Sequence, residues 1–453
     1  MLARWSALLL AFVVACGRIG YEGRSNEGEP EAADDPVIAA EAEAPVPNDE
    51  PVPLEPCGDY PYGDGADGAF EVRFESTVRV NPAIVLEGGA AAGLSELSVV
   101  DFPEPLREGA ALLFWQAQGP QVSARGETTP FDVDAPPGVG YYEVRRVASL
   151  EGDRAILCTP LSRGYGAGAQ VVAVPQFSEV SITQESVLAA RSWTGAAGGI
   201  VALMVQQTFR LEGQVSALAQ GYRGAEYVNV SGEGCGPAFE SAAGEGAGLG
   251  YNDGIGGSQN RGTGGGGADC NNDGGGGGGN AGMGGTGGLR DGLTPSMGGR
   301  SQTTSQAHLL LGGGGGAGAG DNSIGTSGAA GGGAVWIRAQ AITGRGGIDA
   351  SGGEPETAGG DGGGGGGSGG TIDTASDAFS IDCAMVRAAG GAGAAAGFGH
   401  GVGGGGGGGF VRIAVTAGAP EPCLPDVSGG PTGATGNPGT AGSAGVAQVS
   451  DGG

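Results

Sequence analysis

The chain has 453 residues, 105 of them glycine, and only 6% of its residues are aromatic. Such a chain cannot build a large side-chain core throughout its length, although it is long enough for two or three domains. Its formal net charge is −28, and all 21 basic residues are arginine. This balance argues against nucleic acid or an anionic membrane surface as a partner, because both require basic patches.

The first 15 residues have the parts of a bacterial export signal. Arg4 gives a positive start, and residues 7–15 form an apolar run that is too short to span a bilayer as a helix. The run ends in Val-Val-Ala-Cys, which resembles the lipobox of bacterial lipoproteins. The resemblance implies that residues 1–15 are a signal peptide and that Cys16 carries acyl chains that anchor the mature protein. Gly17 stands where an aspartate would indicate inner-membrane retention, so we expect the outer membrane. The alternative is an ordinary signal peptide with a chance cysteine near its cleavage site.

Residues 16–56 are rich in Glu, Asp, Ala and Pro. They contain too few large apolar side chains to offset the entropy lost on ordering. We therefore expect a lipidated, acidic, disordered tether between the membrane and the rest of the chain.

Residues 57–224 have the pattern of an all-β domain. Five segments alternate apolar and polar residues or form short apolar runs, as strands do. They are residues 70–80, 112–115, 142–150, 171–174 and 176–187. No stretch here has a convincing period of 3.6 residues, so helices are not expected.

A glycine-anchored pattern recurs in the second half of the chain. The anchors Gly332, Gly370 and Gly408 are 38 residues apart, and alternating apolar residues follow each of them. Regular spacing of this kind marks stacked units that bury their apolar faces against their neighbours. We therefore predict a glycine-rich segment over residues 225–330 and solenoid-like β repeats over residues 331–416.

Nearly pure glycine runs lie at residues 274–279, 312–316, 362–367 and 403–409. One interpretation is a flexible linker, because glycine loses the most entropy when ordered. The other is ordered polyproline II backbone, since chains without a Cβ can pack closely, as in collagen. The regular return to strands and the lack of serine in the runs favour the second, so we predict a core made of backbone. Residues 417–453 form a Gly/Pro tail with collagen-like triplets, too few for a lasting triple helix.

Six cysteines remain once Cys16 is assigned to lipid. They are Cys57, Cys158, Cys235, Cys270, Cys383 and Cys423. An even number in an exported protein indicates up to three disulfides, although sequence alone leaves the pairing open. We favour the local pairs Cys235–Cys270 and Cys383–Cys423. No CxxC motif or Cys/His cluster has zinc spacing, so zinc is not expected.

Candidate catalytic and metal-binding residues are few. His308 and His400 both adjoin polyglycine, where a lone histidine is usually structural or solvated. No GxSxG, HExxH or P-loop motif is present. Residues 269–274 (DCNNDG) match the first half of a calcium loop, but Asn280 stands where such a loop needs a bidentate glutamate. An Asx-rich turn is the alternative. We therefore predict no catalytic, cofactor-binding or metal-binding residue, and lipidation at Cys16.

About half of the chain resembles glycine-rich surface proteins of myxobacteria, some of which are named for adventurous gliding motility. The resembling phrases are GAQVVAVPQFSEVSI, SWTGAAGGIVALMV and HLLLGGGGGAG. The resemblance implies a role in the cell envelope and offers no active site to carry over.

We therefore expect a non-enzymatic, lipid-anchored protein of the outer membrane and cell surface, with a structural or adhesive role and motility as one candidate process. Its partners would be the membrane and surface glycans or other envelope proteins, without a cofactor. Two alternatives stay open. One is a polysaccharide-acting hydrolase or lyase on a β-solenoid, which needs Asp, Glu, Arg or aromatic residues clustered on one face. The other is a calcium- or glycan-binding module centred on residues 269–273.

Overall fold

Strands account for the regular structure of the described chain, apart from one 3₁₀ turn at Cys383–Met385. The computed structural model describes residues 55–102, 104–119, 126–135, 138–229, 234–236, 239–247, 257–303, 308–322, 324–356, 360–418 and 422–451. Its strands are β1 (Phe70–Val72), β2 (Thr77–Arg79), β3 (Ala83–Leu86), β4 (Glu96–Ser98), β5 (Ala111–Trp115), β6 (Tyr142–Glu151), β7 (Arg154–Leu157), β8 (Ala169–Val174), β9 (Gln176–Phe177), β10 (Val180–Ile182), β11 (Val187–Ala189), β12 (Ile200–Leu211), β13 (Gln214–Ser216), β14 (Ala334–Gly344), β15 (Gly347–Asp349), β16 (Thr371–Phe379), β17 (Val386–Arg387), β18 (Phe410–Val415) and β19 (Val446–Asp451). The predicted all-β class is confirmed.

Six of these strands form an antiparallel sheet in the order β3-β8-β5-β6-β7-β4. All five residues of β5 are buried, because both faces of this strand are covered. On one face Leu112 and Phe114 pack in a cluster formed by this sheet and its loops. On the other face Leu113 and Trp115 belong to a cluster that includes Trp336 of β14. The alternation of side chains along β5 therefore divides one strand between two side-chain cores.

The longest sheet is parallel, with the order β1-β10-β12-β14-β16-β18-β19, and β9 also pairs with β12. From β14 onwards, the neighbouring strands of this sheet are β14, β16, β18 and β19, which follow one another along the chain with only short strands between them. Ala334 pairs with Thr371, Thr371 with Phe410, and Phe410 with Val446, so the strand spacing is 37, 39 and 36 residues. Parallel neighbours need a long connection, and the glycine-rich segments between these strands provide it.

A second parallel sheet has the order β17-β15-β13-β11-β2. Two of its short strands follow long strands after a tight turn: β12 ends at Leu211 and β13 begins at Gln214, and β14 ends at Gly344 and β15 begins at Gly347. Side chains from both parallel sheets, among them Val335, Ile348 and Ile372, meet in one hydrophobic cluster. The two parallel sheets therefore share one side-chain core.

Two predicted segments differ from the observed strands. Residues 70–80 contain β1 and β2 in different sheets, because Phe74 and Glu75 have positive φ angles of 63° and 53° and turn the chain between them. A period of two does not reveal such a turn. Residues 417–453, predicted as a Gly/Pro tail, contain β19, which pairs with β18 from Val446 to Asp451.

The predicted domain boundaries at residues 224, 330 and 416 stay predictions. Strands from both sides of each boundary belong to the first parallel sheet, since β12, β14, β18 and β19 are all members of it. The described residues, from Glu55 to Asp451 with their gaps, lie in one compact unit.

Candidate functional site

The glycine runs contact one another through backbone hydrogen bonds. In residues 274–279 every N–H group donates, and the partner segment changes at each residue and returns after three. This period equals the three residues per turn of a polyproline II helix. The pairs, donor first, are Gly274–Gly288 (2.9 Å), Gly275–Gly363 (2.9 Å), Gly276–Gly266 (2.8 Å), Gly277–Gly285 (2.9 Å), Gly278–Gly366 (2.9 Å) and Gly279–Thr263 (2.7 Å).

The carbonyl groups of the same run bind further segments. Gly275 accepts a hydrogen bond from Gly404 at 2.9 Å, and Gly276 accepts one from Gly316 at 2.8 Å. In the runs 312–316, 362–367 and 403–409 every N–H group likewise donates within the molecule. We call these four runs and the segments bonded to them the glycine bundle.

The four glycine runs leave no room for side chains at their own positions. A Cβ added to Gly365 would overlap the carbonyl oxygen of Gly276, and one added to Gly406 would overlap that of Gly367. Backbone atoms cannot move aside by changing rotamer, as the end of a side chain can. All residues of the four runs are buried. The core of the glycine bundle therefore consists of backbone, and glycine is required for its close approach.

Three disulfides cross-link the described chain. Cys235–Cys270 and Cys383–Cys423, the two pairs that we favoured from the sequence, are confirmed. The third, Cys57–Cys158, joins residues 101 positions apart and links the first described segment to the residue after β7. Stable disulfides are typical of exported proteins.

The segment DCNNDG, residues 269–274, ends on the first glycine of the run 274–279. Asp273 is fully buried, and its Oδ1 accepts hydrogen bonds from the N–H groups of Arg290, Asp291 and Gly292. Its Oδ2 has no hydrogen-bond partner. Burial raises the pKa of Asp273 above its ordinary value, although the three hydrogen bonds act to lower it.

Asp269 lies next to Asp273 in the same loop. Its Oδ1 is also buried and without a hydrogen-bond partner, and its charge adds to the rise in the pKa of Asp273. One carboxylate oxygen of each aspartate and the Sγ of Cys270 lie within 4.8 Å of one another. Because Cys270 is bonded to Cys235, its sulfur is not a thiolate. The loop therefore brings together two carboxylates, beside a disulfide.

The two histidines lie in separate environments. Nε2 of His308 is 3.3 Å from Oδ1 of Asp134, and its ring lies 4.2 Å from the ring of Tyr141. Nδ1 of His400 forms a hydrogen bond with the carbonyl oxygen of Gly360. Each histidine therefore takes part in local packing contacts.

Sequence reasoning missed a charge cluster on β14, β16 and β18. Oδ2 of Asp373 lies 3.0 Å from Nη2 of Arg338 and accepts a hydrogen bond from the hydroxyl of Tyr142, also at 3.0 Å. Oδ1 lies 3.1 Å from Nε of Arg412. Burial, followed by the charge of Asp373, raises the pKa of Tyr142. Each of the two carboxylate oxygens of Asp373 therefore forms an ion pair with an arginine.

A signal for part of this cluster exists in the sequence, and it includes Trp336, whose ring lies 4.4 Å from the guanidinium of Arg338. Trp336, Asp373 and Arg412 are each the third residue of their strand, and the register pairs Trp336 with Asp373 and Asp373 with Arg412. Aligning the repeats on their strands, rather than on their glycine anchors, would place these three residues in one row.

A second network that sequence reasoning missed surrounds Asp64, which is 4% exposed. Arg107 donates to both of its oxygens, at 2.9 and 3.0 Å, and Arg146 donates to Oδ2 at 3.4 Å. Burial alone would raise the pKa of Asp64. The hydrogen bonds from Arg107 and the N–H of Ala66, with the charges of both arginines, lower it below its ordinary value.

Cys16, the predicted signal peptide over residues 1–15 and almost all of the predicted tether over residues 16–56 lie outside the described residues. Among the residues that are described, we find no helix that is long and apolar enough to cross a membrane.

Comparisons with known proteins identify no family. No family model and no curated protein matches the chain. Among solved structures, a match is the crystal structure of the tailspike protein gp49 from Pseudomonas phage LKA1, with 7% sequence identity and a TM-score of 0.16. It covers 33% of this chain and 30% of the tailspike chain. A TM-score this low carries no argument about fold or function.

Proposed function

We propose that this chain is a non-enzymatic lipoprotein of the bacterial outer membrane with a structural or adhesive role at the cell surface. The observation that carries the proposal is the glycine bundle, in which four runs donate all their N–H groups within the molecule. Packed backbone offers no side chain that could act as an acid, a base or a nucleophile. Such a body suits a structural or adhesive role better than catalysis.

In this proposal the body is a β-solenoid whose turns each combine a long strand, a short strand and a polyproline II segment. The parallel register of β14, β16, β18 and β19 and the three-residue hydrogen-bond period support it. Solenoids stack along one axis and present a long lateral surface. Surface glycans or other envelope proteins are the partners that such a surface suits.

Resistance to proteolysis is part of the proposed role. A protease needs a segment that opens from the fold, and segments with buried, hydrogen-bonded backbone open rarely. The three disulfides restrict opening further, because they hold distant segments together. We propose that the body stays intact outside the cell while the tether is cleavable.

The proposed anchor is a lipid on Cys16, followed by the tether over residues 16–56. Its support is the apolar run over residues 7–15, the Val-Val-Ala-Cys sequence, and the acidic, proline-rich composition after it. The disulfides agree with an oxidising compartment outside the cytoplasm.

Fractionation tests the anchor, with the full chain produced in a bacterium that processes lipoproteins. Wild type should sediment with the outer membrane, and Cys16→Ser should be soluble or unprocessed. Gly17→Asp, a matched change beside the modified residue, should shift the protein to the inner membrane. Cleaved Cys16→Ser protein that still sediments with membranes would contradict the anchor.

Protease added to intact cells tests the role. It should cut the tether and leave a resistant body that begins near residue 55. Cells with wild type should also attach to glycan-coated surfaces better than cells with Cys16→Ser. Complete digestion of the body would contradict the structural role, and equal attachment would contradict the adhesive one.

A further inference from the structure

The side-chain core that the two parallel sheets share is open at one end. β1 and β2 are edge strands of these sheets, and in the described part of the chain no further strand pairs with their outer edges. Phe70, Val78 and Val80 therefore pack against the core but stay only half-buried. Terminal units of stacked folds usually carry a polar outer face, whereas these three side chains are apolar.

A cleft of about 410 Å³ lies at this open end, between β1, β2 and β9 on one side and β5 and β8 of the antiparallel sheet on the other. Its volume is within the range of small-molecule pockets, about 300–1,000 Å³. Besides the three half-buried core residues, its apolar wall contains Leu106, Phe177, Pro82, Pro105 and Pro175. Prolines carry no N–H group, so this wall offers few hydrogen-bond donors.

Two buried polar side chains of the wall are already hydrogen-bonded within the protein. Nδ2 of Asn81 donates to the carbonyl oxygens of Ala173 and Ala202, and its Oδ1 accepts a hydrogen bond from the N–H of Ala202. Nε2 of Gln176 donates to the carbonyl oxygen of Gly109 at 2.9 Å. Because these groups are satisfied without a ligand, the interior of the cleft favours an apolar one.

The charges around the cleft differ in sign from those of the whole chain. Its charged lining residues are three arginines and two carboxylates, namely Arg79, Arg107, Arg191, Asp67 and Glu104. Nε of Arg107 lies 3.1 Å from Oδ1 of Asp67. Arg79 and Arg191 are exposed, and their guanidinium groups have no ion pair or hydrogen bond with another described residue.

The two unpaired arginines lie on neighbouring strands. β2 pairs with β11 in a register that places Arg79 beside Ala189, two residues before Arg191. Glu104 leaves a single carboxylate against these two guanidinium groups. In a chain with a net charge of −28, a locally positive rim favours an anionic group at the mouth of the cleft.

We propose that the cleft binds a fatty acid, with its acyl chain against Phe70, Val78 and Val80 and its carboxylate at Arg79 and Arg191. An acyl chain has no polar group along its length and so matches the apolar wall. A carboxylate accepts strong, charge-assisted hydrogen bonds from arginine. The bound chain covers the open end of the core. This proposal does not rest on the proposed function.

Calorimetric titration with dodecanoate, below its micelle concentration, tests the site. The full chain is used with Cys16→Ser, so that neither an acyl chain of its own nor detergent competes for the cleft. This parent protein should bind one dodecanoate per chain. Octanoate, which is four methylenes shorter, should bind at least about tenfold more weakly, because each buried methylene contributes about fourfold in affinity.

A cationic amphiphile separates the proposed site from general electrostatic attraction. Dodecyltrimethylammonium has a tail of the same length and the opposite charge. It should bind at least about tenfold more weakly than dodecanoate, because its head group meets Arg79 and Arg191. The net charge of −28 acting alone would give the reverse order.

The double variant Arg79→Gln/Arg191→Gln tests the head-group contacts. Both arginines are exposed and unpaired, so the variant should keep the fold, and its affinity for dodecanoate should fall about three- to tenfold. Arg345→Gln is the matched control, since this exposed arginine lies in the turn between β14 and β15 and lines no part of the cleft. It should bind dodecanoate like the parent.

A dodecanoate analogue with a diazirine at the end of its tail locates the acyl chain. After illumination, mass spectrometry should find the label on peptides that contain residues 70–82, 104–111 or 173–177, which line the cleft. Excess dodecanoate should prevent this labelling.

Absence of dodecanoate binding to the parent would overturn the proposal, and so would tighter binding of the cationic amphiphile. Equal affinity in the double variant and the parent would overturn the assignment of the carboxylate to Arg79 and Arg191. Labelling that falls only outside the three lining segments would overturn the position of the acyl chain.

Discussion

The antiparallel sheet and the glycine bundle are both buried, but different atoms fill them. In the sheet, β5 places Leu112, Phe114 and Trp115 in side-chain clusters, and burying each such group contributes about 1.5–3 kcal/mol. In the four glycine runs no side chain is present, and hydrogen bonds worth about 0.5–1.5 kcal/mol each connect them to neighbouring segments. Glycine also loses more conformational entropy than other residues on ordering.

The difference shows which change each region cannot tolerate. A side-chain core is damaged when atoms are removed, because a cavity remains. A backbone core is damaged when atoms are added, because the neighbouring chain is in van der Waals contact on every side. Opposite substitutions therefore distinguish the two regions.

Removing atoms from the sheet should give the largest effect. Phe114 is fully buried, and its ring lies 6.1 Å from that of Tyr165. Phe114→Ala should lower the free energy of unfolding by about 3–5 kcal/mol, measured by denaturant titration. A loss below about 1 kcal/mol would mean that this cluster is loosely packed. It would contradict the claim that closely packed side chains stabilise the antiparallel sheet.

Adding one carbon to the glycine bundle should come next. Gly365→Ala should lower the free energy of unfolding by about 1–3 kcal/mol, because the new Cβ overlaps the carbonyl of Gly276. Gly88→Ala is the matched control, since an added Cβ there meets only open space and the residue has no positive φ. The control should be neutral or stabilising by up to about 1 kcal/mol. If Gly365→Ala behaves like Gly88→Ala, the run is a linker.

The Asp64 network should have an effect of comparable size at neutral pH that shrinks as the pH falls. The pKa of Asp64 is lowered in the folded state, so its contribution to stability is present above the unfolded value near pH 4 and is lost as pH falls through the folded value. Asp64→Asn should therefore cost about 2 kcal/mol at pH 7 and progressively less below pH 4. Asp59→Asn, an exposed neighbour, should follow the wild-type pH curve. A pH-independent cost at Asp64 would contradict the ion-pair account.

Much of the strand structure could be predicted from the sequence. The alternation over residues 142–150 corresponds to β6, and the apolar runs at residues 112–115 and 171–174 lie in β5 and β8. The turn at Phe74 and Glu75 could not be predicted, because positive φ at such residues is imposed by the surrounding fold. The tail did not indicate β19, since a strand of Val, Ala, Gln, Ser and Asp is too weakly patterned on its own.

The pairing within the glycine bundle could not be predicted at all. Register in a sheet is fixed by the pattern of side chains, and identical glycines carry no such pattern. Gly275 bonds to Gly363, 88 positions away, because strands with distinctive side chains flank the runs and set their alignment. The Asp373 cluster was hidden for a related reason. Strand spacings of 37 and 39 residues shift its members away from the 38-residue spacing of the glycine anchors.

Amide hydrogen exchange of the intact protein, followed by mass spectrometry, tests the backbone core most directly. Every N–H group of residues 274–279, 362–367 and 403–409 donates to a hydrogen bond within the fold. Peptides that cover these runs should therefore exchange as slowly as peptides that cover β5, over hours at neutral pH. Exchange of the glycine runs within seconds, beside a protected β5, would contradict the claim that this part of the molecule is a packed core.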